Sequence, residues 1–337
     1  MNYSGIDLHS NNSVVVVSDE SDRLVYKRRL PNELVAILAA LEPYRAQLAG
    51  VVVEATYNWY WLVDGLQAAG YRVHLANTSA IKQYEGLKHS NDDSDALHLA
   101  HLLRLGILPT GYICPTEQRA VRDLARKRLQ LSRSRTAHIL AVENIVARQT
   151  GARMRSGAVK RLTDEELKKM GQLEDVTLAL SSNVAVIQTL NTQIEKLEAQ
   201  LRKRVTPSAE FKLLSTTPGI GEILATTIML ETGTVQRFAA VGNFASYARC
   251  VDSKRLSNGK KKGTGNVKNG NKYLAWAFIE AANFARRFCP EAKRFHERKK
   301  AHTNPIVATK ALAHKLARAC YHMLKDQVPF DVKRCFS

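Results

Sequence analysis

The stretches that decide the fold read Tyr-Ser-Gly-Ile-Asp at residues 3–7 and Val-Val-Val-Glu at residues 51–54. Each is an apolar run typical of a β-strand, and each ends in an acidic residue, Asp7 or Glu54. The end of a strand is rigid and lies at the edge of a sheet, where α/β folds bind their ligands. Carboxylates on neighbouring strand ends are therefore predicted to share hard divalent cations, which prefer oxygen ligands.

Strand-like and helix-like patterns alternate on both sides of these runs. The predicted strands cover residues 4–9, 13–18, 24–30, 51–54 and 71–76, and the predicted helices cover residues 31–48, 59–69 and 96–105. The order β-β-β-α-β-α-β-α is that of an RNase H-like α/β domain, also called RuvC-like. In such a domain the first and fourth strands are neighbours, which would bring Asp7 and Glu54 together.

An aspartate cluster at Asp92, Asp93 and Asp95 adds further candidate ligands. Positions three apart share a helix face, so Asp92 and Asp95 are expected to point to one centre if the helix has begun at Asp92. The four carboxylates Asp7, Glu54, Asp92 and Asp95 are then predicted to hold two Mg²⁺ ions about 4 Å apart. The alternative is that Asp92 only favours the helix N-terminus. His98 is kept as a reserve ligand.

The charge of the chain is large and uneven. The 337 residues carry a formal net charge of +19. Residues 1–110 contain 12 acidic and 9 basic residues, against 19 and 41 in the remainder. A strongly basic body predicts a polyanionic partner such as nucleic acid. The sequence lacks an apolar run of the roughly 18 residues needed to span a bilayer and a basic leader before an apolar segment, so we expect a soluble, cytoplasmic protein with no membrane partner.

Two helical patterns follow the acidic region. Residues 116–149 form a basic amphipathic pattern, which favours contact with nucleic acid over a merely solvated face. From Leu173 to Leu201, apolar residues recur at alternating steps of three and four, a coiled-coil spacing with Asn183 as one polar member. This seam predicts either an intramolecular helical hairpin or a dimerisation stalk.

The C-terminal part contains two motifs with a chemical meaning. Pro-Gly-Ile-Gly at residues 218–221, followed by an apolar helix pattern, resembles a helix-hairpin-helix turn whose backbone amides approach a phosphate. Residues 249–274 are rich in Gly, Asn and Lys, which predicts a mobile cationic loop around Ser257. A serine hydroxyl surrounded by cations and facing a metal-bound phosphate is a candidate nucleophile. Ser253 is the competing assignment.

The residues predicted to bind nucleic acid come from the basic helix, the glycine turn and the cationic loop. They are Arg126, Lys127, Arg128, Gly219, Gly221, Lys254, Arg255, Lys260, Lys261, Lys262, Lys268 and Lys272. The five cysteines are dispersed without paired short spacing, which argues against a disulfide framework and a zinc site.

With these motifs in view, the chain resembles the RNA-guided insertion-sequence transposases of the IS110 group, especially its IS1111 branch. The resemblance extends from Gly-Ile-Asp-Leu-His at residues 5–9 to the last helix. The DEDD carboxylate set of that family matches Asp7, Glu54, Asp92 and Asp95, and its serine nucleophile matches Ser257. Two departures from the family pattern are Ser90-Asn91 before the third aspartate and Leu256 before the serine.

The resemblance implies a recombinase that excises and inserts its own element. It implies donor and target DNA as substrates, a structured guide RNA encoded by the element, and Mg²⁺ as cofactor. It also implies a homo-oligomer, a dimer or a tetramer, in which the RuvC-like domain of one subunit meets the serine-bearing domain of another.

The expected architecture is α/β plus α in three parts. Residues 1–112 form the RuvC-like DEDD domain, residues 113–206 form basic helices and a coiled coil, and residues 207–337 form a mainly helical transposase domain with a helix-hairpin-helix-like turn. Two alternatives to an RNA-guided transposase stay open. One is a structure-specific nuclease that uses the carboxylates alone, and the other is a non-catalytic nucleic-acid-binding module.

Overall fold

The computed structural model describes residues 1–81, 92–170, 173–252, 255–263 and 269–337; of Asp92, Asp93, Asp164, Lys168, Arg255, Leu256 and Lys261 it describes the backbone only. The chain divides into two units, Met1–Thr116 and Glu117–Ser337. The first boundary lies close to the one expected after residue 112. The expected boundary after residue 206 falls inside the second unit, so the three-part division stays a prediction.

The first unit is a five-stranded mixed sheet with helices. Its strands are β1 (Asn2–Leu8), β2 (Asn12–Ser18), β3 (Leu24–Pro31), β4 (Leu48–Glu54) and β5 (Val73–Ala76), and its helices are α1 (Leu34–Leu41), α2 (Tyr60–Ala68) and α3 (Asp92–Arg104). The strand order is β3-β2-β1-β4-β5. The first three strands pair antiparallel, whereas β1 with β4 and β4 with β5 pair parallel. The expected neighbourhood of the first and fourth strands is confirmed.

The two faces of the sheet bury different helices. Ile6 and Leu8 lie in a core with side chains of α1 and α2. Val52 lies on the other face, where it packs with Leu99 of α3. Successive side chains of a strand point to opposite faces. Asp7 and Glu54 therefore project on the same side as α3.

Gly5 explains how closely α3 approaches the sheet. A Cβ atom at this position would lie 1.9 Å from the carbonyl oxygen of Ala96 and 3.0 Å from the backbone nitrogen of Ala100. No side chain fits there, so the backbone of α3 packs directly on β1. The consequence is that the first turn of α3, which carries Asp95, lies next to the end of β1.

The helix expected over residues 31–48 is shorter than predicted. The α-helix covers only Leu34–Leu41 and continues as a 3₁₀-helix, Glu42–Gln47, with Pro43 near its start. Proline has no N–H to continue the α-helical hydrogen bonds, which explains the change of helix type. Leu48, expected in the helix, belongs to β4, which begins three residues before the predicted strand 51–54.

The second unit is mainly helical. Its helices are α4 (Thr116–Thr150, the first residue of which closes the first unit), α5 (Ser156–Val159), α6 (Asp164–Met170), α7 (Glu174–Val205), α8 (Ala209–Ser215), α9 (Glu222–Thr232), α10 (Val241–Tyr247), α11 (Lys272–Phe288), α12 (Pro290–Ala301), α13 (Pro305–Asp326) and α14 (Val332–Phe336). Two short strands, β6 (Arg255–Ser257) and β7 (Lys260–Gly263), form a hairpin. The largest core joins α9, α10, α11 and α13, with Phe244, Phe278 and Tyr321 fully buried. Within the described ranges, the helices include none long and apolar enough to cross a bilayer.

The heptad seam of α7 packs within the same chain, against α4. Its members Leu180, Ile187, Ile194 and Leu201 are buried on α7. Helix α7 pairs with α4 in antiparallel fashion, through hydrogen bonds from Arg128 to Glu198 and from Arg135 to Asn191 and a contact between His138 and Asn183. Of the two alternatives, the intramolecular hairpin is therefore the arrangement within one chain. Leu173 precedes α7 and is exposed, so the seam begins later than predicted. Dimerisation through this segment stays a prediction.

Candidate active site

The ends of β1 and β4 bring two acidic side chains together. The parallel register pairs Ile6 with Val53, so Asp7 and Glu54 are the next residues along the two strands. Asp7 is buried, with a side chain 6% exposed, whereas Glu54 is partly buried. Both strand ends are held in the sheet, so the two carboxylates face each other from rigid positions.

The electrostatics of Glu54 report the crowding of negative charge. Burial, a hydrogen bond to Asp7, and the charges of Asp7 and Asp95 raise the pKa of Glu54 from 4.5 to about 7. Burial disfavours the charged carboxylate, and each neighbouring carboxylate adds to that effect. Two of the other predicted acids, Asp7 and Asp95, thus act on Glu54.

The remaining predicted ligand, Asp92, is the first residue of α3. The helix has begun at this residue, which is the condition under which Asp92 and Asp95 share a face. The position of the Asp92 side chain lies outside the described atoms. The ring of His98, the reserve ligand, stacks on that of His101, with the two centroids 6.4 Å apart. Burial and the charge of His101 lower the pKa of His98, although the charge of Asp95 partly opposes them.

The donor set suits a hard divalent cation. Carboxylate oxygens are the ligands that Mg²⁺ prefers, and a partly buried excess of negative charge is relieved by a cation. In the described part of the chain, however, His, Cys, Asp and Glu side chains form no preassembled cluster of three or more that holds a metal ion. The fit therefore rests on the chemistry of the donors and on the raised pKa of Glu54.

Sequence reasoning missed the two asparagines, Asn32 and Asn58, that support this acidic site. His9 Nε2 lies 3.2 Å from Asp7 Oδ2. The backbone carbonyl of His9 accepts hydrogen bonds from the side-chain amides of Asn32 and Asn58, each at 3.0 Å. These bonds fix the segment that follows Asp7. The available signal was an asparagine just after a strand and another near the start of a helix.

Ser257 lies at the end of a β-hairpin, which the prediction of a mobile loop missed. Ser257 pairs with Lys260 across the hairpin, and Asn258 and Gly259 form the turn with φ of +48° and +69°. Positive φ at both central residues defines a type I′ turn, for which Asn-Gly is the preferred sequence. The Ser257 side chain is exposed and stands beside Lys260. The hydroxyl is thus presented on an ordered turn.

Three predicted nucleic-acid contacts, Arg126, Lys127 and Lys272, lie around one pocket of the second unit. Lys127 and Lys272 line a cavity of about 440 Å³, together with Arg133, Gln130 and Tyr273. The lining also includes Arg126, Leu129 and Asp123. Arg133 was part of the basic helix pattern but was not singled out. Several cationic groups around one concavity suit a phosphate group.

Two of the predicted contacts, Arg126 of this pocket and Arg128, are already engaged within the protein. Arg126 donates to Glu231 from Nε at 2.6 Å and from Nη2 at 2.8 Å. Arg128 donates to Glu198 on α7 at 2.7 Å. Both guanidinium groups therefore stabilise the second unit, and their contact with nucleic acid stays a prediction.

The two glycines of the predicted phosphate turn have different surroundings. Gly219 has φ +86°, and a Cβ there would lie 2.4 Å from Ala281 O and Ala285 N of α11. This glycine is required by packing. Gly221 is the N-cap of α9, and a Cβ there would meet nothing within 4 Å. Only Gly221 thus has open space beside its backbone, and phosphate binding by either glycine stays a prediction.

The remaining predicted contacts belong to the cationic segment. The side chains of Lys260 and Lys262 are exposed on β7. Lys254, Lys268 and Ser253 lie outside the described residues, as do the side chains of Arg255 and Lys261. Of the described hairpin, two lysines and the candidate serine therefore face solvent.

Family models match both units. A model described as "Transposase", for the DEDD transposases of IS110 elements, matches residues 4–148. A model described as "Transposase IS116/IS110/IS902 family" matches residues 211–297. The first match includes the acidic strand ends, and the second includes the serine hairpin.

Curated relatives agree with the family models over most of the chain. A "Probable family 20 transposase" of Pseudomonas aeruginosa is 26% identical over 300 residues, covering 85% of this chain and 84% of that protein. The "Transposase for insertion sequence element IS1328" of Yersinia enterocolitica is 23% identical over 332 residues, covering 94% and 95%. The chain is a DNA transposase, an enzyme. It belongs to the IS110 family of DEDD transposases.

Proposed function

We propose that this transposase is RNA-guided and transfers DNA strands with a carboxylate-bound Mg²⁺ centre and a serine nucleophile. The observation that carries the proposal is that Glu54, at the end of β4, interacts with Asp7 at the end of the neighbouring strand β1 and with Asp95 of α3. Buried like charges are costly to a fold, and they are retained where a cation or a reaction needs them. The family is one that uses divalent metal.

The residues that would hold the metal are Asp7, Glu54, Asp92 and Asp95. When bound, Mg²⁺ supplies positive charge that stabilises the negative charge developing on a phosphodiester. To bind the metal, these four carboxylates must be ionised and correctly placed. The rigid strand ends place Asp7 and Glu54, and the close contact of α3 at Gly5 places Asp95.

The strand order supports a RuvC-like assignment of the first unit. Three antiparallel strands followed by two parallel ones, in the order β3-β2-β1-β4-β5, are the arrangement expected of an RNase H-like sheet. Acidic residues on the two central strands and on the helix that packs over them are then in the positions where such a domain carries its chemistry.

Ser257 is the nucleophile of the proposed transfer. Its Oγ forms a bond to the phosphorus of a DNA phosphodiester, and the bond from phosphorus to one of the two ester oxygens breaks. The serine proton is transferred overall to the departing oxygen, which leaves as a hydroxyl on DNA, so the broken strand is held as a phosphoserine ester. Exposure of Ser257 on a type I′ turn supports this role.

Guide RNA and oligomerisation are the parts of the proposal that rest on the resemblance and on charge. The net charge of +19 suits a protein that binds two nucleic acids. In the proposed assembly, the acidic site of one subunit and the serine hairpin of another act on the same DNA. Purifying the protein from cells and sequencing the bound nucleic acid tests the guide. An RNA from the flanks of its own gene is expected, and recovery of unrelated RNA alone would contradict guidance.

The serine mechanism is tested with Ser257→Ala and, as a matched control, Ser253→Ala. With end-labelled DNA, Ser257→Ala should abolish the covalent protein–DNA species and strand exchange, whereas Ser253→Ala should retain both. Both variants should bind DNA as the parent does. Simple hydrolysis to free ends, with no covalent species in the parent protein, would favour the carboxylate-only nuclease instead. Family membership leaves the non-catalytic alternative without support.

A further inference from the structure

The charge of Glu231 is buried in the second unit and fully engaged. The residue is only 4% exposed, on the apolar helix α9. Arg126 of α4 donates to both of its carboxylate oxygens, at 2.6 and 2.8 Å, and Asn271 Nδ2 donates at 2.7 Å. A buried charge is tolerated only when it is paired and hydrogen-bonded. Glu231 therefore joins three separate segments of the chain.

Arg126 is partly buried and is also held in place by its contacts. Burial of the guanidinium opposes its charged form, but the hydrogen bonds and the charge of Glu231 more than offset this effect and raise the pKa of Arg126. The guanidinium carbon also lies 4.7 Å from the centre of the Tyr273 ring. The pair is thus a fixed ion pair whose position is set by α4, α9 and the first turn of α11.

Asn271 uses the two ends of its side-chain amide for different purposes. Its Oδ1 accepts from the backbone N–H groups of Tyr273 and Leu274, at 2.8 and 3.0 Å, and so caps α11. Its Nδ2 donates to Glu231 and lies 3.3 Å from Tyr247 Oη. The side-chain amide of Asn271 is planar, and it makes both the cap of α11 and the hydrogen bond to Glu231. The position of Glu231 therefore fixes Asn271, the residue at which the chain enters α11.

Hydrogen bonds at Gly270 and Asn271 join the two ends of the segment that carries the serine hairpin. The backbone N–H of Asn271 donates to Tyr247 O at 2.6 Å. Arg249 donates from Nε and Nη2 to Gly270 O, at 3.1 and 2.9 Å. The chain leaves the core after Tyr247 and returns at Gly270, and Ser257 lies between them in sequence. The base of the hairpin segment is therefore closed by hydrogen bonds at two consecutive residues, Gly270 and Asn271.

We propose that Glu231 is a positioning residue for the serine hairpin, acting through Asn271, and that Arg126 ties this hairpin to the long helix α4. The catalytic consequence rests on the proposed role of Ser257 as nucleophile. A nucleophile misplaced by about 1 Å loses on the order of 100-fold in rate. Loosening the base of the hairpin should therefore slow ester formation without a similar loss of DNA binding.

Asn271→Ser is the most informative single variant. Serine is a good N-cap, so α11 keeps its cap while the donor to Glu231 is lost. Glu198→Gln is the matched control. Glu198 also accepts a hydrogen bond from an arginine of α4, Arg128, but Glu198 lies on α7 and not on α9. Three measurements are made on the full chain: hydrogen–deuterium exchange of peptides covering residues 255–263, DNA affinity, and the single-turnover rate of ester formation.

For Asn271→Ser we expect faster exchange in the hairpin peptides and a rate of ester formation lower by about 10- to 100-fold, with DNA affinity changed by less than about threefold. Glu198→Gln should change neither the exchange of these peptides nor the rate. Unchanged exchange in Asn271→Ser, or an equal effect in Glu198→Gln, overturns the proposal.

A double variant separates positioning from general damage to the fold. In Glu231→Gln with Asn271→Asp, the new Gln offers Nε2 as donor to the Asp and Oε1 as acceptor to Arg126, so the hydrogen bond is restored with its direction reversed. Asp also remains a good N-cap. The double variant should recover exchange protection and rate relative to Asn271→Asp alone, in which two carboxylates face each other. No recovery would contradict the coupling.

The exchange data also keep the two proposals apart. If Ser257→Ala retains the ester, the serine mechanism fails, but the exchange of residues 255–263 in Asn271→Ser still reports whether Glu231 holds the hairpin. If Ser257→Ala abolishes the ester while Asn271→Ser leaves both exchange and rate unchanged, the serine mechanism stands and the positioning role is overturned.

Discussion

Two groups of buried carboxylates, one in each unit, differ in how their charge is balanced. At the acidic site, burial of Glu54, together with its hydrogen bond to Asp7 and the charges of Asp7 and Asp95, raises the pKa of Glu54 to about 7. In the second unit, Glu231 is more deeply buried yet receives three hydrogen bonds from Arg126 and Asn271. The first group has an excess of negative charge within reach of solvent, and the second is neutralised within the fold.

This difference separates a site from a structural element. A satisfied ion pair sets the geometry of the elements that it joins. A set of facing carboxylates costs stability unless a cation is bound, so its retention indicates a use for that cation. The same residue type thus has opposite energetic consequences in the two units, and its partners decide which.

The largest expected effect is that neutralising one carboxylate in each group changes stability in opposite directions. Glu231→Gln should lower the free energy of unfolding by about 3 kcal/mol, because Arg126 is left partly buried without its charge partner. Asp7→Asn should raise it by about 1 kcal/mol in EDTA, because one of two facing charges is removed. Urea unfolding of the two units, followed by exchange of peptides from each, measures both.

Added Mg²⁺ serves as the control for this pair of variants. The parent protein should gain stability with Mg²⁺, since a ligand that binds only the folded state stabilises it. Asp7→Asn should gain much less, and Glu231→Gln should gain as much as the parent. Destabilisation of the metal-free protein by Asp7→Asn would contradict the contrast between the two groups.

The second effect concerns the contact that completes the acidic group. In Gly5→Ala the new methyl group would collide with Ala96 O of α3, so the helix must move away from β1. We expect a loss of about 2–3 kcal/mol in the free energy of unfolding and weaker stabilisation by Mg²⁺, because Asp95 moves with α3.

Gly111→Ala is the matched control for Gly5→Ala in the same unit. A Cβ at Gly111 would make only ordinary contacts, the nearest being 3.5 Å from a Leu75 methyl carbon. Its unfolding free energy and its response to Mg²⁺ should stay close to those of the parent. A Gly5→Ala protein as stable as Gly111→Ala would show that α3 does not need this close approach.

The acidic group was predictable from the sequence because each of its members follows a local pattern. Apolar runs ending in Asp7 and Glu54 mark strand ends, and alternation along a strand puts both acids on one face once the strands are neighbours. The register of β1 and β4 bears this out. Spacing along a helix relates Asp95 to Asp92, and the start of α3 at Asp92 meets the condition for it.

The group around Glu231 was not predictable, because its partners are distant in sequence. Arg126 is 105 residues away and Asn271 is 40 residues away. Arg126 also lies in a run of basic residues, and no local pattern distinguishes the arginine that pairs with Glu231 from its neighbours. The hairpin turn is a different case: Asn258-Gly259 is a strong type I′ signal, but it lies in a segment rich in Gly, Asn and Lys, whose composition is typical of a mobile loop.

The smallest expected effect is a pH dependence that belongs to the acidic group alone. The folded protein holds a proton on Glu54 up to about pH 7, whereas the ordinary pKa is 4.5. Between these values the folded state binds more protons than the unfolded state, so this group's contribution to stability is present below pH 4.5 and is lost as the pH rises through 7. Since Glu54 is partly exposed and solvent screens its charge, we expect the free energy of unfolding to fall by about 1 kcal/mol as the pH rises through this range.

Glu54→Gln isolates this contribution, because the amide resembles the protonated acid in shape and in donating a hydrogen bond. In EDTA the variant should be as stable as the parent near pH 5. Near pH 8 its free energy of unfolding should be higher than that of the parent by about 1 kcal/mol. Glu20→Gln, at an exposed carboxylate of the same unit, should show no such divergence. With Mg²⁺ present the advantage of Glu54→Gln at high pH should disappear, since the cation replaces the proton as the partner of the carboxylates. An advantage that persists in Mg²⁺ would mean that the crowded acids do not serve to bind a cation.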